Sequence, residues 1–327
     1  MAVDGIPEEA ERIASDIRDM RVRGAGRIAR AGALALRISA EKYSGDSLED
    51  FKRYMKSVAD YIVRTRPTAV SLPNAVSYVI SPLFRLNVAQ SVEEAKKVVV
   101  ERANSFIAYS ERAVEAIAEI GSRLLHDDEV VLTHCNSQAV VSIISEAFRQ
   151  GKRVKVIATE TRPLFQGYIT ARMLADKGVE VTIIPDSAVR SIIKDVDKVI
   201  VGADTVTANG AVVNKIGTSL IALIARERGA DFYVATETYK FSPYTVWGEP
   251  VVIEERSPAE VLPGTFLAKN PRLKVLNPSF DVTPPSLVTA IITEIGLIPP
   301  QASFLVLEEM YSREAVHDTV RSVEEDA

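Results

Sequence analysis

The second part of the chain, from residue 125 onward, repeats a short apolar run followed by an amphipathic segment, and this repeat constrains the fold more than any other feature. Runs of strand length occur in EVVLTHC, VKVIATE, VEVTIIPD, KVIVGAD and DFYVATE, and segments with helical periodicity separate them. Strands that alternate with helices predict a parallel sheet with helices on both faces. We therefore predict that residues 125–327 form a Rossmann-like, doubly wound α/β domain, with helices ending at Gly151, Gly178 and Gly229.

The first part of the chain has a different pattern. Over residues 7–124 the apolar residues recur at helical spacing, as in LEDFKRYMKSVADYIV and VEEAKKVVVERANSFIAYS. A length of 327 residues agrees with two domains, since a domain usually has roughly 100 to 200 residues. The sequence thus predicts an N-terminal helical domain over residues 1–124, followed by the α/β domain.

Charge and composition limit the partners of this chain. The formal net charge of -5 offers no basic field for nucleic acid or for an anionic membrane, so we expect neither as a partner. The N-terminal segment lacks the basic-then-apolar order of a signal peptide, and no apolar run approaches the ~18 residues that would span a bilayer. The single cysteine excludes a disulfide framework, and we therefore expect a cytoplasmic protein.

Five polar residues directly follow predicted strands: Cys135, Glu160, Asp186, Asp204 and Glu237. In an open parallel sheet the carboxyl ends of the strands lie along one edge. Ligands bind at this edge because helix N-termini present free N–H groups and a partial positive charge there. We expect the functional residues in this group and in the loops that follow it.

Cys135 is the only cysteine, and it lies between a strand end and the helix that follows. A free cysteine is commonly an inert, buried packing residue. Here the helix N-terminus favours the thiolate, which predicts a lowered pKa and a functional thiol. The neighbouring His134 does not complete a Cys–His pair, because adjacent strand residues point to opposite faces. We expect His134 to be hydrogen-bonded behind the sheet.

Asp204 follows the run KVIVGA, where an aspartate is often only a turn former or a helix cap. A second feature follows within reach, because Lys215 and Gly217 in NKIGT precede the helical segment SLIALIARERG. A lysine, a glycine and a helix N-terminus together predict a phosphate-binding site at the start of this helix.

The segment RGAGRIARAG matches the dinucleotide pattern G-x-G-x-x-A from Gly24 to Ala29, but a charged stretch precedes it instead of an apolar strand. We therefore predict no nicotinamide or other cofactor. The segment is better interpreted as a glycine-opened helix start flanked by Arg23 and Arg27, which offer N–H groups and guanidinium to a phosphate. Arg66 in RPTAVSLPNAV is a similar candidate.

A metal site is not predicted either. The three histidines, His126, His134 and His317, lie too far apart in the sequence to form a metal-binding motif. Any anionic ligand must therefore be held by local cations.

Several segments, taken in order, resemble one known family. These segments are RGAG, RPTAVSLPNAV, THCNSQA, ETRPLFQG, GADTVTANGAVVNKIGT, ETYKFSP and NPSFDVTPP. They resemble the family that unites aldose-1-phosphate isomerases with the alpha, beta and delta regulatory subunits of the translation-initiation guanine-nucleotide exchange factor. The resemblance covers nearly the whole chain, and GADTVTANGAVVNKIGT is its most specific part.

The resemblance implies an isomerase acting on a sugar 1-phosphate, with Cys135 and Asp204 as catalytic residues. It implies that Asp204, protonated because burial raises its pKa, donates a proton to the ring oxygen, while Cys135 moves a proton from C2 to C1. A hydride shift from C2 to C1 stays open. The implied substrate-binding residues are Arg23, Gly24, Ala25, Gly26, Arg66, Ser137, Gln166, Asn214, Lys215 and Lys240.

The substrate class depends on the number of phosphates that the site holds. Lys240, just beyond a predicted strand end, offers a cation for a second phosphate. The resemblance then implies ribose 1,5-bisphosphate as the substrate, in preference to methylthioribose 1-phosphate. A regulatory subunit without catalysis is disfavoured, because this chain has both Cys135 and Asp204. The resemblance also implies a homo-oligomer, a dimer or a hexamer of dimers, and activation by AMP.

Overall fold

The computed structural model describes residues 5–66, 68–85, 88–246 and 251–310. The chain divides into two compact units, residues 1–113 and 114–327. This division falls within the long helix Val92–Ser122. The sequence pattern instead predicts the domain boundary after residue 124. That boundary stays a prediction.

The first unit is helical. Its helices are α1 (Glu8–Arg18), α2 (Ala25–Lys42), α3 (Leu48–Thr65), α4 (Ser71–Ile80) and the first part of α5 (Val92–Ser122). Their periodic apolar residues, among them Leu36, Phe51 and Met55, are fully buried. Local capping also determines where helices begin, since the Ser47 hydroxyl accepts a hydrogen bond from the Asp50 N–H at 3.2 Å at the start of α3. The predicted helical character of this region is confirmed.

The second unit contains a seven-stranded sheet with the order β10-β9-β7-β4-β1-β2-β3. Its strands are β1 (Val130–Thr133), β2 (Lys155–Thr159), β3 (Glu180–Ile184), β4 (Lys198–Gly202), β7 (Asp231–Ala235), β9 (Ala290–Thr293) and β10 (Gly296–Ile298). All neighbouring pairs are parallel except β9 and β10. The five apolar runs named above correspond to β1, β2, β3, β4 and β7, so the predicted parallel α/β sheet is confirmed.

The remaining helices are α6 (Gln138–Arg149), α7 (Gln166–Ala175), α8 (Val189–Ile192), α9 (Thr218–Arg228), α10 (Gly264–Lys269) and α11 (Ser303–Met310). Apolar clusters cover both faces of the sheet. Val199 and Val201 of β4 pack in one cluster with α9, while Ile200 packs in the other with α6. Strand residues point alternately to opposite faces, and therefore a continuous apolar run such as KVIV has buried residues on both faces.

A second, three-stranded antiparallel sheet was not predicted. It has the order β5-β6-β8, with β5 at Thr205–Val206, β6 at Val212–Lys215 and β8 at Phe280–Thr283. Asn214 and Lys215 end strand β6, and α9 begins only at Thr218. Lys215 therefore precedes the helix, and it lies at the end of a strand that we did not predict. None of the described helices combines the length and apolar character that crossing a membrane requires.

Candidate active site

The five polar residues that follow strands lie, as predicted, along one edge of the sheet. Cys135, Glu160, Asp186, Asp204 and Glu237 come one or two residues after the carboxyl ends of β1, β2, β3, β4 and β7. These five strands are adjacent and parallel in the order β7-β4-β1-β2-β3, so their carboxyl ends share that edge.

Cys135 has a constrained backbone. Its φ is +67°, in the left-handed region that residues other than glycine seldom adopt. Two threonines hold it, because the Cys135 N–H donates to Thr161 Oγ1 at 2.9 Å and Thr170 Oγ1 donates to the Cys135 carbonyl at 2.8 Å. Left-handed residues of this kind occur often at active sites, where the surrounding structure holds them. The residue as a whole is partly exposed.

His134 is fully buried and links two loops. Its Nε2 lies 2.9 Å from the Ile216 carbonyl oxygen, and a carbonyl can only accept, so Nε2 carries the proton. Nδ1 then accepts from the Thr159 hydroxyl at 2.6 Å. Burial lowers the pKa of His134, which keeps the ring neutral. The prediction that His134 is hydrogen-bonded is confirmed.

The electrostatic surroundings of Cys135 differ from our expectation. Burial raises the pKa of the thiol to about 11, and the Asp204 carboxylate raises it further, while Lys215 and Arg256 act in the opposite direction. The prediction of a lowered pKa was wrong. Helix α6 begins only at Gln138, with Ser137 as its N-cap, so the helix N-terminus lies too far along the chain to outweigh the desolvation.

Lys215 is a buried cation beside this thiol. Its side chain lies over the Phe280 ring, with Nζ 4.6 Å from the ring centroid. Within residues 5–246 and 251–310, as far as they are described, no carboxylate pairs with Nζ. Burial lowers the pKa of Lys215, while Cys135 and Asp204 act to raise it. The structure thus brings Cys135, Asp204 and Lys215 within electrostatic reach of each other.

The N-terminus of α9 is already occupied by a carboxylate. Gly217 adopts a φ of +103°, a conformation that glycine reaches without steric strain. Its N–H donates to Asp281 Oδ2 at 2.8 Å. The Ser219 N–H donates to the same carboxylate at 3.1 Å. The predicted phosphate site at this helix start is therefore wrong, because Asp281 uses the amide groups that a phosphate would need. Asn214 lies beside it, with its Nδ2 donating to Thr218 Oγ1 at 3.0 Å.

Unlike the N-terminus of α9, the N-terminus of α6 has no carboxylate bound to its backbone N–H groups among the described residues. The Ser137 hydroxyl accepts from the Val140 N–H at 3.4 Å. The N–H groups of Gln138 and Ala139 have no acceptor in the part of the chain that the structure describes. Gly202, at the end of β4, makes room for Ser137, because a Cβ there would lie 2.6 Å from Ser137 Oγ. A free helix N-terminus one turn beyond Cys135 is a suitable position for an anionic group.

Gln166 is the first residue of α7. Its Oε1 is buried and accepts no hydrogen bond from any residue that the structure describes. An orphaned buried acceptor costs about 1 to 3 kcal/mol, so a ligand hydroxyl that donates to Oε1 would be stabilised here.

Lys240 is buried in an ion pair. Its Nζ lies 2.6 Å from Glu237 Oε2, and Tyr239 OH donates to Glu237 Oε1 at 2.9 Å. Burial acts to raise the pKa of Glu237, but the Lys240 ammonium, a backbone N–H and the Tyr239 hydroxyl together outweigh it, and the pKa is lowered. Glu294 holds the same turn, since its carboxylate accepts from the Thr238 N–H at 3.0 Å. The candidate cation for a second phosphate therefore already has a carboxylate partner.

The remaining predicted residues lie in the first unit. Gly24 is the N-cap of α2, which begins at Ala25, so the interpretation of RGAG as a glycine-opened helix start is confirmed. Arg23 is exposed and its Nε donates to the Met20 carbonyl at 2.9 Å. The buried Ser71 hydroxyl donates to the Ala25 carbonyl at 2.9 Å. This bond joins the start of α2 to the start of α4, and Arg66 lies a few residues before α4 at the end of α3.

Sequence reasoning missed three residues of this region, Arg256, Asp281 and Glu294. Arg256 has a side chain only 8% exposed and contacts Glu254. The local signal was weak, because each of these residues reaches the region through pairing with distant segments. Among the described residues no group of three or more His, Cys, Asp and Glu side chains is arranged to hold a metal ion, and His317 lies outside them.

Comparison with known proteins gives consistent results. Residues 21–300 match the Initiation factor 2 subunit family. The chain is 49% identical to a ribose 1,5-bisphosphate isomerase of Methanocaldococcus jannaschii, over 94% of this chain and 96% of that protein. It is 52% identical to a ribose 1,5-bisphosphate isomerase of Archaeoglobus fulgidus, over 92% of this chain and 93% of that protein.

A solved structure has the same fold. The crystal structure of the translation initiation factor eIF-2B of Pyrococcus horikoshii superimposes with a TM-score of 0.78 and 32% sequence identity. It covers 91% of this chain and 99% of its own.

Proposed function

The chain belongs to the Initiation factor 2 subunit family, and we propose that it is a sugar-phosphate isomerase that converts ribose 1,5-bisphosphate to ribulose 1,5-bisphosphate. The observation that carries this proposal is the identity of 49% and 52%, over nearly the whole chain, to two proteins with that activity in their names. The groups at the carboxyl edge of the sheet supply the chemistry that this reaction needs.

The reaction imposes specific requirements. A sugar esterified at its anomeric oxygen does not open to a free aldehyde, so its isomerisation needs a proton on the ring oxygen and the transfer of a proton from C2 to C1. Two acid–base groups on the protein satisfy these requirements. The reaction is redox-neutral overall and needs no cofactor.

Cys135 and Asp204 are the proposed pair. Because the pKa of the thiol is raised to about 11, Cys135 holds its proton in the resting enzyme. Transfer of this proton to Asp204 gives the reactive form, a thiolate and a carboxylic acid. Asp204 protonates the ring oxygen as the C1–O bond to it breaks, and the Cys135 thiolate removes the C2 proton to form an enol phosphate. Cys135 returns the proton to C1, and Asp204 takes the O2 proton as the ketone forms.

Four other predicted residues of the second unit support substrate binding. Lys215 supplies positive charge for the anion that develops beside Cys135. Ser137 and the free N–H groups at the start of α6 are proposed to hold a phosphate, and the orphaned Gln166 Oε1 to accept from a sugar hydroxyl. Asn214 is proposed to contact the sugar next to Lys215. From the first unit, we propose contacts by Arg23, Gly24, Ala25, Gly26 and Arg66.

Lys240 distinguishes the substrate classes. A bisphosphate carries about four negative charges near neutral pH, because each monoester has a second pKa of about 6. We propose that Lys240 contributes to the site of the second phosphate, sharing its charge between that phosphate and Glu237. Methylthioribose 1-phosphate would instead need an apolar pocket for its thioether, and the buried ion pair of Lys240 with Glu237 does not favour one.

A non-catalytic regulatory subunit is the second alternative. The chain has both Cys135 and Asp204, and its identity to the eIF-2B structure of Pyrococcus horikoshii is 32%, well below its identity to the two isomerases. The enzyme is therefore the favoured function. We further propose that it acts in the cytoplasm as a homo-oligomer, a dimer or a hexamer of dimers, and that AMP activates it.

One experiment separates these alternatives. The purified protein is incubated with ribose 1,5-bisphosphate and, separately, with methylthioribose 1-phosphate, and the ketose products are measured. We expect turnover of ribose 1,5-bisphosphate only. Turnover of methylthioribose 1-phosphate alone would assign the other isomerase activity, and turnover of neither would favour the regulatory class.

A further inference from the structure

Arg256 is a buried cation with unused hydrogen-bond donors. Its Nε contacts Glu254 Oε1 at 3.1 Å, and its side chain is 8% exposed. Within the part of the chain that the structure describes, its two Nη groups make no hydrogen bond. A guanidinium has five N–H donors, and the Nη groups of Arg256 are not among the fully buried, unpartnered side-chain atoms of the described residues, so a ligand can reach them. One carboxylate on Nε leaves the two-pronged end of Arg256 available for a ligand.

Backbone pairing brings this arginine towards the candidate active site. The Ile216 N–H donates to the Ser279 carbonyl at 3.0 Å, and the Ser279 N–H donates to the Glu254 carbonyl at 2.9 Å. The Arg256 N–H donates to the Asn277 carbonyl at 3.0 Å. The segment 254–256 is therefore the second neighbour of strand β6, and at ~4.8 Å per strand it lies ~10 Å from Lys215 and Ile216.

The charge of Arg256 acts at the catalytic residues. Burial is the main cause of the raised pKa of Cys135 and of the lowered pKa of Lys215. The Arg256 guanidinium opposes the effect of burial at Cys135 and adds to it at Lys215. A structural ion pair on the far side of the molecule would not have this effect. Arg256 therefore belongs to the same electrostatic environment as Cys135 and Lys215.

The site needs a permanent cation. Lys240 is already paired with Glu237, and burial lowers the pKa of Lys215, which makes its ammonium easier to discharge. Arginine stays protonated at any physiological pH, and its planar fork binds a phosphate through two parallel hydrogen bonds. Arg256 is thus the group in this unit best suited to hold a doubly charged phosphate.

We propose that Arg256 is a substrate-binding residue of this active site, that its Nη1 and Nη2 bind one phosphate of the sugar phosphate beside Cys135, and that Glu254 orients the guanidinium through Nε. This inference deepens the proposed function and rests on it for the identity of the sugar. The phosphate contact itself does not depend on that identity.

The test uses Cys135 as its own reporter, because it is the only thiol in the chain. The alkylation rate of Cys135 by iodoacetamide is measured in the full-length protein at pH 8 to 9, with increasing inorganic phosphate. We expect phosphate to slow alkylation of the wild type. In Arg256→Gln the half-protecting phosphate concentration should rise at least tenfold, and the rate without phosphate should fall because a positive charge near the thiol is lost.

Two variants control for folding and for nonspecific charge effects. Arg256→Lys keeps the charge but loses the fork, so we expect its rate without phosphate to stay near that of the wild type while protection weakens. Arg190→Gln removes an arginine from the exposed Arg190–Glu227 pair and should behave as the wild type. Circular dichroism checks that each variant is folded.

The outcomes distinguish this inference from the proposed function. Equal protection by phosphate in the wild type and Arg256→Gln would overturn the inference, and so would an absence of protection in the wild type. If Arg256→Gln does not fold, Arg256→Lys decides, because an unchanged protection curve in that variant would overturn the fork contact. If protection depends on Arg256 but the protein does not turn over ribose 1,5-bisphosphate, the phosphate contact is supported and ribose 1,5-bisphosphate is excluded as the substrate.

Discussion

His134 Nε2 donates a hydrogen bond to the carbonyl oxygen of Ile216 at 2.9 Å, so the residue before Cys135 is tied to the residue after Lys215. This bond joins the end of β1 to the loop between β6 and α9. It fixes the spacing between the thiol and the ammonium without placing the imidazole in the reaction.

We predict that His134→Ala lowers stability by about 1 to 3 kcal/mol, because it leaves the Ile216 carbonyl without its buried donor. His134→Gln, whose amide can still donate to Ile216, should recover part of this loss. Urea unfolding measures both effects. If His134→Ala unfolds at the same urea concentration as the wild type, the bond does not contribute to stability.

The buried His134 should also make the free energy of unfolding depend on pH. Because burial lowers its pKa, the unfolded chain binds the proton more readily than the folded chain. The stabilisation is therefore complete above the unfolded-state pKa of about 6.5 and decreases as pH falls below that value. The free energy of unfolding between pH 8 and 5 should decrease less in His134→Gln than in the wild type, and equal decreases would exclude His134 as the cause.

Cys135→Ala and Cys135→Ser should each reduce kcat for ribose 1,5-bisphosphate by about 100- to 10,000-fold while the fold is retained, because the group that moves the C2 proton is lost. Steady-state kinetics with circular dichroism on the same samples check this. Deuterium at C2 should appear in the solvent with the wild-type enzyme. Complete retention of deuterium in the product would indicate a hydride shift and remove the proton-transfer role from Cys135.

Glu237→Gln should have opposite effects on stability and on substrate affinity. Removing the carboxylate leaves Lys240 buried without its partner, which costs about 3 to 5 kcal/mol. The freed ammonium should at the same time lower the KM for the bisphosphate. Glu227→Gln, in an exposed pair with Arg190, is the matched control and should change neither quantity. A higher KM in Glu237→Gln would contradict a phosphate-binding role for Lys240.

Gly202→Ala should disturb the start of α6. The added Cβ would lie 2.6 Å from Ser137 Oγ, so Ser137 must move away from its capping position. Overpacking of this kind costs about 1 to 3 kcal/mol, and we expect kcat/KM to decrease with it. Gly264→Ala, where an added Cβ meets nothing within 4 Å, is the control and should leave both unchanged. Wild-type kcat/KM in Gly202→Ala would show that the position of Ser137 is not critical.

The main sheet could be predicted because its strands are continuous apolar runs. The run KVIVG in β4 and the run DFYVA in β7 are buried on both faces, which leaves a clear signal in the sequence. The small sheet has two- to four-residue strands, and β6 ends in the polar pair Asn214 and Lys215. Such short, mixed segments have no periodicity of their own, so this strand was not predicted.

The errors at the site have a common physical origin. The pKa of Cys135 depends on desolvation by residues that are distant in sequence, and a helix after the thiol was the only local signal. The α9 N-terminus looked free because its cap, Asp281, lies 64 residues beyond Gly217. Arg256 went unnoticed for the same reason, since it approaches Lys215 through the pairing of three separate segments. Local chemistry identified the candidate groups, and tertiary pairing determined their surroundings.

The carboxylate of Asp281 at the start of α9 makes the charge distribution around the candidate active site asymmetric. A sugar with a phosphate at each end is nearly symmetric in charge, and a pocket attractive to anions on every side would accept it in either orientation, one of them unproductive. Asp281 repels an anion on the α9 side, whereas the N–H groups of Gln138 and Ala139 on α6 have no such competitor among the described residues. If the proposed substrate binds as described, this asymmetry selects which end of the sugar faces Cys135.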